Sequence, residues 1–229
     1  MLPIVDTHQH MWDLREFSLP WLADVEMLNK SHDMDDYREA SRGCGINQTV
    51  YMEVDVEPTQ RGREVDYVSD FCARSDNPMV AAVVSGSPAE EGFLDIVKSY
   101  RDDPNVKGFR KVLHVPEMPR YSCLQQSFLN GMHCLGESGK SFDLCMRPNE
   151  LGDALDLVKK CPDTLFILDH CGNADPQIVS GLREPEEKEP FAHNRQQWFD
   201  NISALGQCKN VVCKLSGIIA RVPVGCDRW

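Results

Sequence analysis

The chain lacks several features that would assign it to a class at once. None of its apolar runs approaches the roughly 20 residues of a membrane-spanning helix. Its start, MLPIVDTHQH, has neither the basic segment nor the long apolar core of a signal peptide. Positive charge is scarce, since 24 Lys and Arg stand against 36 Asp and Glu and the formal net charge is −12. The basic footprint of a nucleic-acid-binding protein is therefore missing. We expect a soluble, cytoplasmic protein with neither a nucleic-acid nor a membrane partner.

The ten cysteines include no C-x-x-C pair, the spacing typical of metal and redox sites. Several lie inside apolar runs, such as Cys145 and Cys213, where Cys behaves as a small buried hydrophobic residue. Without a secretion signal, we interpret them as reduced thiols rather than as a disulfide framework. The sequence marks none of them as an activated nucleophile.

Short β-rich runs alternate with helical patterns along the whole chain. Most of the strands are too apolar to alternate cleanly, as expected when both faces are covered. The predicted strands are Ile4–His10, Thr49–Val54, Met79–Val84, Val106–Leu113, Phe142–Met146, Leu165–Asp169 and Val211–Leu215. The clearest helical patterns are Gln60–Arg74, Ala89–Tyr100 and Glu150–Lys160, and the second carries a capping-box pattern at Ser87-Pro-Ala-Glu90.

The strands recur at the spacing of βα units, which leaves two architectures open, a (β/α)8 barrel and a doubly wound open sheet. An open sheet would usually carry a glycine-rich phosphate loop after its first strand. His8-Gln-His10 occupies that place instead. We therefore predict an α/β fold of the (β/α)8 TIM-barrel type with about seven βα units, and residues 1–229 as a single domain. The charged run Arg183–Pro190 is predicted to be an exposed loop.

Two histidine motifs close predicted strands. Side chains two apart in a strand point to the same face, so His8 and His10 project together and Asp6 joins them. His170 ends another apolar run, in LFILDHCG. In a barrel, the carboxyl ends of the strands form one rim, where active sites are built. Three imidazoles with an open coordination position fit a catalytic zinc site. Two polar residues lining a strand end remain the plainer interpretation of the first motif.

Candidate substrate anchors lie at the ends of the fourth and fifth strands. Arg110 and His114 share a strand face, and an arginine is the natural bidentate partner of a carboxylate. Arg147 shares a face with Asp143 and Cys145 in the next strand. For Arg110, an exposed residue at a sheet edge is an equal alternative. For the pair of Asp143 and Arg147, a purely structural role is favoured. Glu53, at the end of the second strand, is a weaker candidate.

The ordered set VDTHQHMWDL, GFRKVLH, FDLCMRP, LFILDHCGN and VVCKLSG resembles the amidohydrolase-related family, and most closely its lactonase-like branch. The resemblance implies a metal-dependent barrel hydrolase that opens the ring of a small sugar-derived or carboxylated lactone. It implies His8, His10 and His170 as ligands of one divalent metal ion at most, expected to be zinc, with metal-free chemistry as the alternative. Arg110, His114 and Arg147 would contact the substrate.

The sequence departs from the family pattern at its end. Family members continue to an eighth strand whose terminal Asp binds metal and moves the proton, and we find no equivalent here. Asp227 lies in a polar tail, so the catalytic residue stays unassigned and we expect a chain truncated before that strand. The alternatives are a non-oxidative decarboxylase on the same barrel and an inactive relative that serves as a binding or oligomerisation module. Homo-oligomer formation stays open.

Overall fold

A computed structural model of the chain describes residues 3–186 and 191–222. These residues form two compact units. Unit 1 comprises residues 1–86 and 102–110, and unit 2 comprises residues 87–101 and 111–229, each within the described ranges. In both units parallel strands alternate with helices, so the fold is of the α/β class.

Unit 1 contains four parallel strands that pair in chain order. They are β1 (Ile4–Gln9), β2 (Ile46–Met52), β3 (Met79–Ser85) and β4 (Val106–Val112), of which the last two residues fall beyond the unit's boundary at Arg110. The helices are α1 (Met34–Ala40) and α2 (Arg61–Ala73). The core is built from the strands and the inner face of α2, since Met52, Val68 and Met79 are buried. This buried core holds the carboxyl ends of β1 and β2 in place.

Unit 2 contains β5 (Ser141–Cys145), β6 (Leu165–Leu168) and β7 (Val211–Cys213), again parallel and in chain order. Its helices are α3 (Phe93–Ser99), α4 (Gln126–Glu137), α5 (Leu151–Lys160), α6 (Pro176–Ser180) and α7 (Arg195–Gly206). Phe142, Leu144 and Phe166 are buried on the strands, and Leu157 and Val158 are buried on α5. Strands covered on both faces explain why their sequences are nearly continuous apolar runs.

Short 3-10 turns connect these elements. They span Pro20–Asp24, Glu26–Leu28, Pro58–Gln60, Ser122–Leu124, Pro148–Glu150 and Ile218–Arg221. In the part of the chain that the structure describes, no helix combines the length and apolar character needed to cross a membrane.

The seven predicted strands are confirmed to within a few residues at each end. The capping-box prediction is wrong. Helix α3 begins at Phe93 after Gly92, whose φ of +83° suits a glycine, while the amide of Glu90 donates to the carbonyl of Ser87 within a turn. Of the predicted loop Arg183–Pro190, residues 187–190 lie outside the described residues, as does Asp227. The single-domain organisation stays a prediction.

Candidate functional site

The β1 histidines of unit 1 are in direct contact. The rings of His8 and His10 meet edge to face with their centroids 4.8 Å apart. The side chain of Asp6 accepts a hydrogen bond from the His8 amide at 3.0 Å and another from the Tyr37 hydroxyl at 2.8 Å. The sequence prediction that these histidines lie together is therefore confirmed within this unit, and Tyr37 on α1 orients the carboxylate beside them.

The hydrogen bonding of His10 determines which of its nitrogens can bind a metal. Its Nδ1 lies 2.9 Å from the Met52 carbonyl oxygen, which can only accept, so Nδ1 carries the proton and Nε2 the lone pair. Metal-binding histidines usually donate their second ring N–H to such a partner, which fixes the tautomer and the ring orientation. The imidazoles of unit 1 thus have the donor chemistry that a divalent metal requires.

Arg110 and Glu53 form a buried ion pair in the same unit. Nε of Arg110 donates to Glu53 Oε1 at 2.6 Å, and a terminal nitrogen donates to the Glu53 carbonyl at 2.8 Å. The arginine side chain is 7% exposed and the glutamate side chain 1%. The amide of Asp55 donates to the second carboxylate oxygen at 2.7 Å. Glu53, the weaker candidate for a functional residue in the sequence, therefore holds the Arg110 side chain in place.

A second buried carboxylate lies behind this pair. Glu64 on α2 accepts hydrogen bonds from the Tyr51 hydroxyl and the Val54 amide, both at 2.9 Å. Burial, reinforced by the negative charge of Glu53, raises the pKa of Glu64 to about 7. The same burial, together with Glu64, raises the pKa of Tyr51 far above its ordinary value. The sequence indicated the apolar face of α2 but not this carboxylate.

In unit 2, one ammonium group bridges two buried carboxylates. Nζ of Lys214 lies 2.5 Å from Asp143 Oδ2 and 3.0 Å from Asp169 Oδ1. The lysine side chain is 11% exposed, and the two aspartates are 1% and 0% exposed. Asp143 comes from β5, Asp169 follows β6 and Lys214 follows β7. A lysine inside the apolar run VVCKLSG was the one signal in the sequence that could have revealed this cluster.

His170 occupies a left-handed turn directly after β6. Residues 170–173 all have positive φ, with His170 at +51° and Cys171 at +52°. Such a conformation costs free energy in non-glycine residues and persists only when its surroundings impose it. Here the Lys214 carbonyl accepts from the Cys171 amide at 3.1 Å, and the Trp198 indole donates to the Cys171 carbonyl at 3.1 Å.

The ring of His170 is fixed by the segment after β7. Its Nδ1 lies 3.0 Å from the Ser216 hydroxyl oxygen. Gly217 allows this approach, because a Cβ at that position would lie 2.3 Å from Nδ1, and its φ of +68° also favours glycine. A carboxylate oxygen of Asp169 and a ring nitrogen of His170 lie within 4.8 Å of each other, which is close enough for both to bind one metal ion. The donor set of unit 2, an imidazole beside a carboxylate, also fits a divalent metal.

The remaining predicted substrate contacts of unit 2 have protein partners. Nδ1 of His114 lies 3.3 Å from the Cys145 sulfur, and its ring packs against Phe191. Arg147 donates to Glu150 at 2.9 Å and to the carbonyls of Val115 and Met118 at 2.9 and 2.8 Å. Arg147 therefore holds the loop after β4. Contact of either residue with a substrate stays a prediction.

The chain matches a known protein family along nearly its whole length. A family model described as Amidohydrolase matches residues 5–228. The chain belongs to this amidohydrolase family. An L-fucono-1,5-lactonase of Burkholderia multivorans is 22% identical over 218 residues, which cover 94% of this chain and 68% of the lactonase. The resemblance to the lactonase-like branch is thereby confirmed.

Two solved structures illustrate the range of the fold. An amidohydrolase of Burkholderia multivorans with bound zinc has a TM-score of 0.74 at 18% identity, covering 95% of this chain and 70% of that one. A 2,6-dihydroxybenzoate decarboxylase from Rhizobium has a TM-score of 0.57 at 12% identity, covering 96% and 91%. These likenesses show the fold alone. They confirm the predicted α/β fold of the TIM-barrel type.

Proposed function

We propose that this amidohydrolase hydrolyses the ring ester of a small sugar-derived or carboxylated lactone. The observation that carries the proposal is the β1 histidine pair, in which His8 touches His10 and a carbonyl fixes the His10 tautomer. The L-fucono-1,5-lactonase relative supports the choice of a lactone over other carbonyl substrates. The precise lactone follows from neither observation.

The metal ligands in this proposal are His8, His10 and His170, as the family resemblance implies, and the ion is divalent, with zinc expected. Such an ion polarises a carbonyl oxygen and makes bound water more acidic. Within unit 1, the Met52 carbonyl holds His10 in the ligating tautomer. Within unit 2, the Ser216 hydroxyl holds the ring of His170, and Asp169 offers a further oxygen donor.

Substrate binding is proposed for Arg110, His114 and Arg147. The Arg110 guanidinium would donate to a hydroxyl or carboxylate of the lactone while Glu53 keeps it in position. His114 would bind through the ring edge that does not face the Cys145 sulfur. Arg147 would act mainly by holding the loop after β4, through its bonds to the Val115 and Met118 carbonyls.

Metal analysis of His8→Ala and His10→Ala tests the metal proposal. We expect purified wild-type protein dialysed against zinc to retain close to one equivalent, and each variant to retain much less, since losing one of three ligands weakens the site. His133→Ala is the matched control, because His133 is an exposed residue on α4 in unit 2 and is not a proposed ligand. Equal metal content in wild type and both β1 variants would refute the ligand assignment.

A panel of aldonolactones followed by pH-stat tests the reaction itself. Ring opening releases one proton per carboxylic acid formed, so turnover is read directly as the rate of base addition. We expect hydrolysis of at least one lactone that His10→Ala reduces at least a hundredfold and His133→Ala leaves unchanged. Hydrolysis that both variants retain would contradict the proposed site.

A non-oxidative decarboxylase is the second candidate. The likeness to a 2,6-dihydroxybenzoate decarboxylase along nearly the whole chain favours it, although that likeness concerns the fold. It predicts release of carbon dioxide from a hydroxybenzoate, which a mass-spectrometric gas assay detects and a lactone pH-stat does not. A protein that binds zinc but turns over neither class would instead support the inactive binding or oligomerisation module.

A further inference from the structure

Two thiols of unit 2 lie near the same backbone carbonyl at the end of the β6–β7 pair. Cys213 is the last residue of β7, and its register partner in β6 is Leu168. Cys171 follows three residues after Leu168, in the left-handed turn. The two sulfurs converge on one acceptor, since they lie 3.6 and 3.8 Å from the carbonyl oxygen of Lys214.

The backbone holds this pair in position. The Cys171 amide donates to the Lys214 carbonyl, and the Trp198 indole donates to the Cys171 carbonyl, so the strained turn keeps its thiol facing β7. Holding two thiols beside one carbonyl greatly raises the effective concentration of one thiol at the other. Neither cysteine has a role in the proposed lactone hydrolysis, and the pairing needs an explanation of its own.

The two thiols differ in access. Cys213 is exposed and Cys171 is half-buried. The pair is therefore open to an oxidant from solution on the side of Cys213. An exposed thiol beside a resolving thiol is the arrangement found in redox-sensing cysteines.

We propose that Cys171 and Cys213 form an oxidation site that a hydroperoxide converts into a disulfide. In the first step one of the two sulfurs, as its thiolate, attacks the peroxide, the O–O bond breaks, and a sulfenic acid and an alcohol or water form. In the second step the other sulfur attacks the sulfenic sulfur, the S–S bond forms, and the hydroxyl leaves as water with the thiol proton. The peroxide is reduced by two electrons and the two thiols are oxidised by the same two.

The disulfide would tie the turn that carries His170 to the strand that precedes Ser216. Since His170 Nδ1 contacts the Ser216 hydroxyl, oxidation acts beside a proposed metal ligand. The oxidation site itself does not depend on the proposed function, because its formation is measured without metal or lactone.

Peptide mapping after treatment with hydrogen peroxide tests this inference. The protein is treated with a small excess of peroxide, free thiols are blocked with N-ethylmaleimide, and the unreduced protein is digested. We expect one dominant cross-linked peptide that joins Cys171 to Cys213 and disappears after reduction with dithiothreitol. Cys145 serves as an internal comparison, because its thiol is buried against an imidazole and should stay reduced.

Two variants sharpen the test. In Cys213→Ser the cross-linked peptide should be absent and Cys171 should be recovered alkylated. In Cys208→Ser, which removes a half-buried thiol whose sulfur lies 3.5 Å from the Ala204 carbonyl oxygen, the cross-link should form as in wild type. The wild-type map alone decides the matter if Cys213→Ser does not fold. No Cys171–Cys213 peptide, pairing of Cys171 with other cysteines equally often, or Cys213 recovered as sulfinic acid would overturn the proposal.

Discussion

The polar residues at the strand ends are assembled differently in the two units. In unit 1, His8 lies in β1 and His10 directly follows the last residue of that strand, so they meet because they are two residues apart. In unit 2, Asp143 lies in β5 while Asp169 and Lys214 directly follow β6 and β7, and the lysine and the first aspartate are 71 residues apart in the chain. Local geometry therefore forms the first arrangement, whereas only the pairing of β5, β6 and β7 forms the second.

Individual buried carboxylates are also accommodated in different ways. Asp143 and Asp169 in unit 2 are compensated by a full ammonium charge, as Glu53 in unit 1 is by a guanidinium. Glu64 in unit 1 is bound by a hydroxyl and an amide, and burial raises its pKa to about 7. Removing the Lys214 charge should consequently destabilise the protein, whereas removing the Glu64 charge should stabilise it.

The largest effect is expected for Lys214→Met. The substitution leaves two fully buried carboxylates without their cation, and breaking a buried ion pair from one side costs about 3–5 kcal/mol. Urea unfolding followed by circular dichroism measures the loss. Lys98→Met is the matched control, since Lys98 pairs with Asp95 on the surface and exposed pairs contribute at most about 1 kcal/mol.

A second variant separates charge from packing. Adding Asp143→Asn to Lys214→Met removes one of the stranded charges, so the double variant should recover part of the lost free energy of unfolding. A double variant less stable than Lys214→Met alone would show that the cluster is maintained by packing instead of charge compensation.

Glu64→Gln should act in the opposite direction and depend on pH. The folded-state pKa of about 7 lies above the ordinary value of 4.5, so the folded protein binds more protons than the unfolded chain between these values. The wild-type free energy of unfolding should therefore fall as pH rises from about 4.5 to 7. Above pH 7 the variant should be more stable than wild type, by up to about 3 kcal/mol.

Chemical unfolding at pH 5 and pH 8 measures this difference. Glu26→Gln, at an exposed carboxylate in the same unit, is the control and should show no comparable gain at pH 8. A Glu64→Gln variant that is less stable than wild type at pH 8 would contradict the proposed cost of the buried charge.

A smaller effect is expected for Gly217→Ala. The added methyl group would collide with the His170 ring, and the positive φ disfavours any side chain, so we expect a loss of about 1–3 kcal/mol. The variant should also shift the His170 imidazole resonances in NMR spectra. Gly206→Ala is the control, because a Cβ at that position meets open space. Equal stability and an unchanged His170 resonance would show that the turn tolerates displacement.

The sequence predicted more of the fold than of the site. All seven strands were recognised, because runs such as Leu165–Leu168 are apolar enough to indicate strands covered on both faces. The start of α3 was misplaced, since a capping box at Ser87–Glu90 competes locally with a turn that continues to Gly92. Glu64 was missed because an acidic residue on a helix is usually exposed, and only the Tyr51 hydroxyl and Val54 amide make its burial tolerable.

The sequence by itself determined those features that depend on residues close to one another in the chain. The contact of His8 with His10 follows from the two-residue period of a strand, and the strands follow from their apolar runs. Only the tertiary structure decided which charges compensate one another and which thiols meet. Lys214 reaches Asp143 and Asp169, and the Cys171 and Cys213 sulfurs approach one carbonyl, because parallel strands bring distant segments side by side. No local pattern encodes that proximity, since it arises from the packing of the whole β5–β7 sheet.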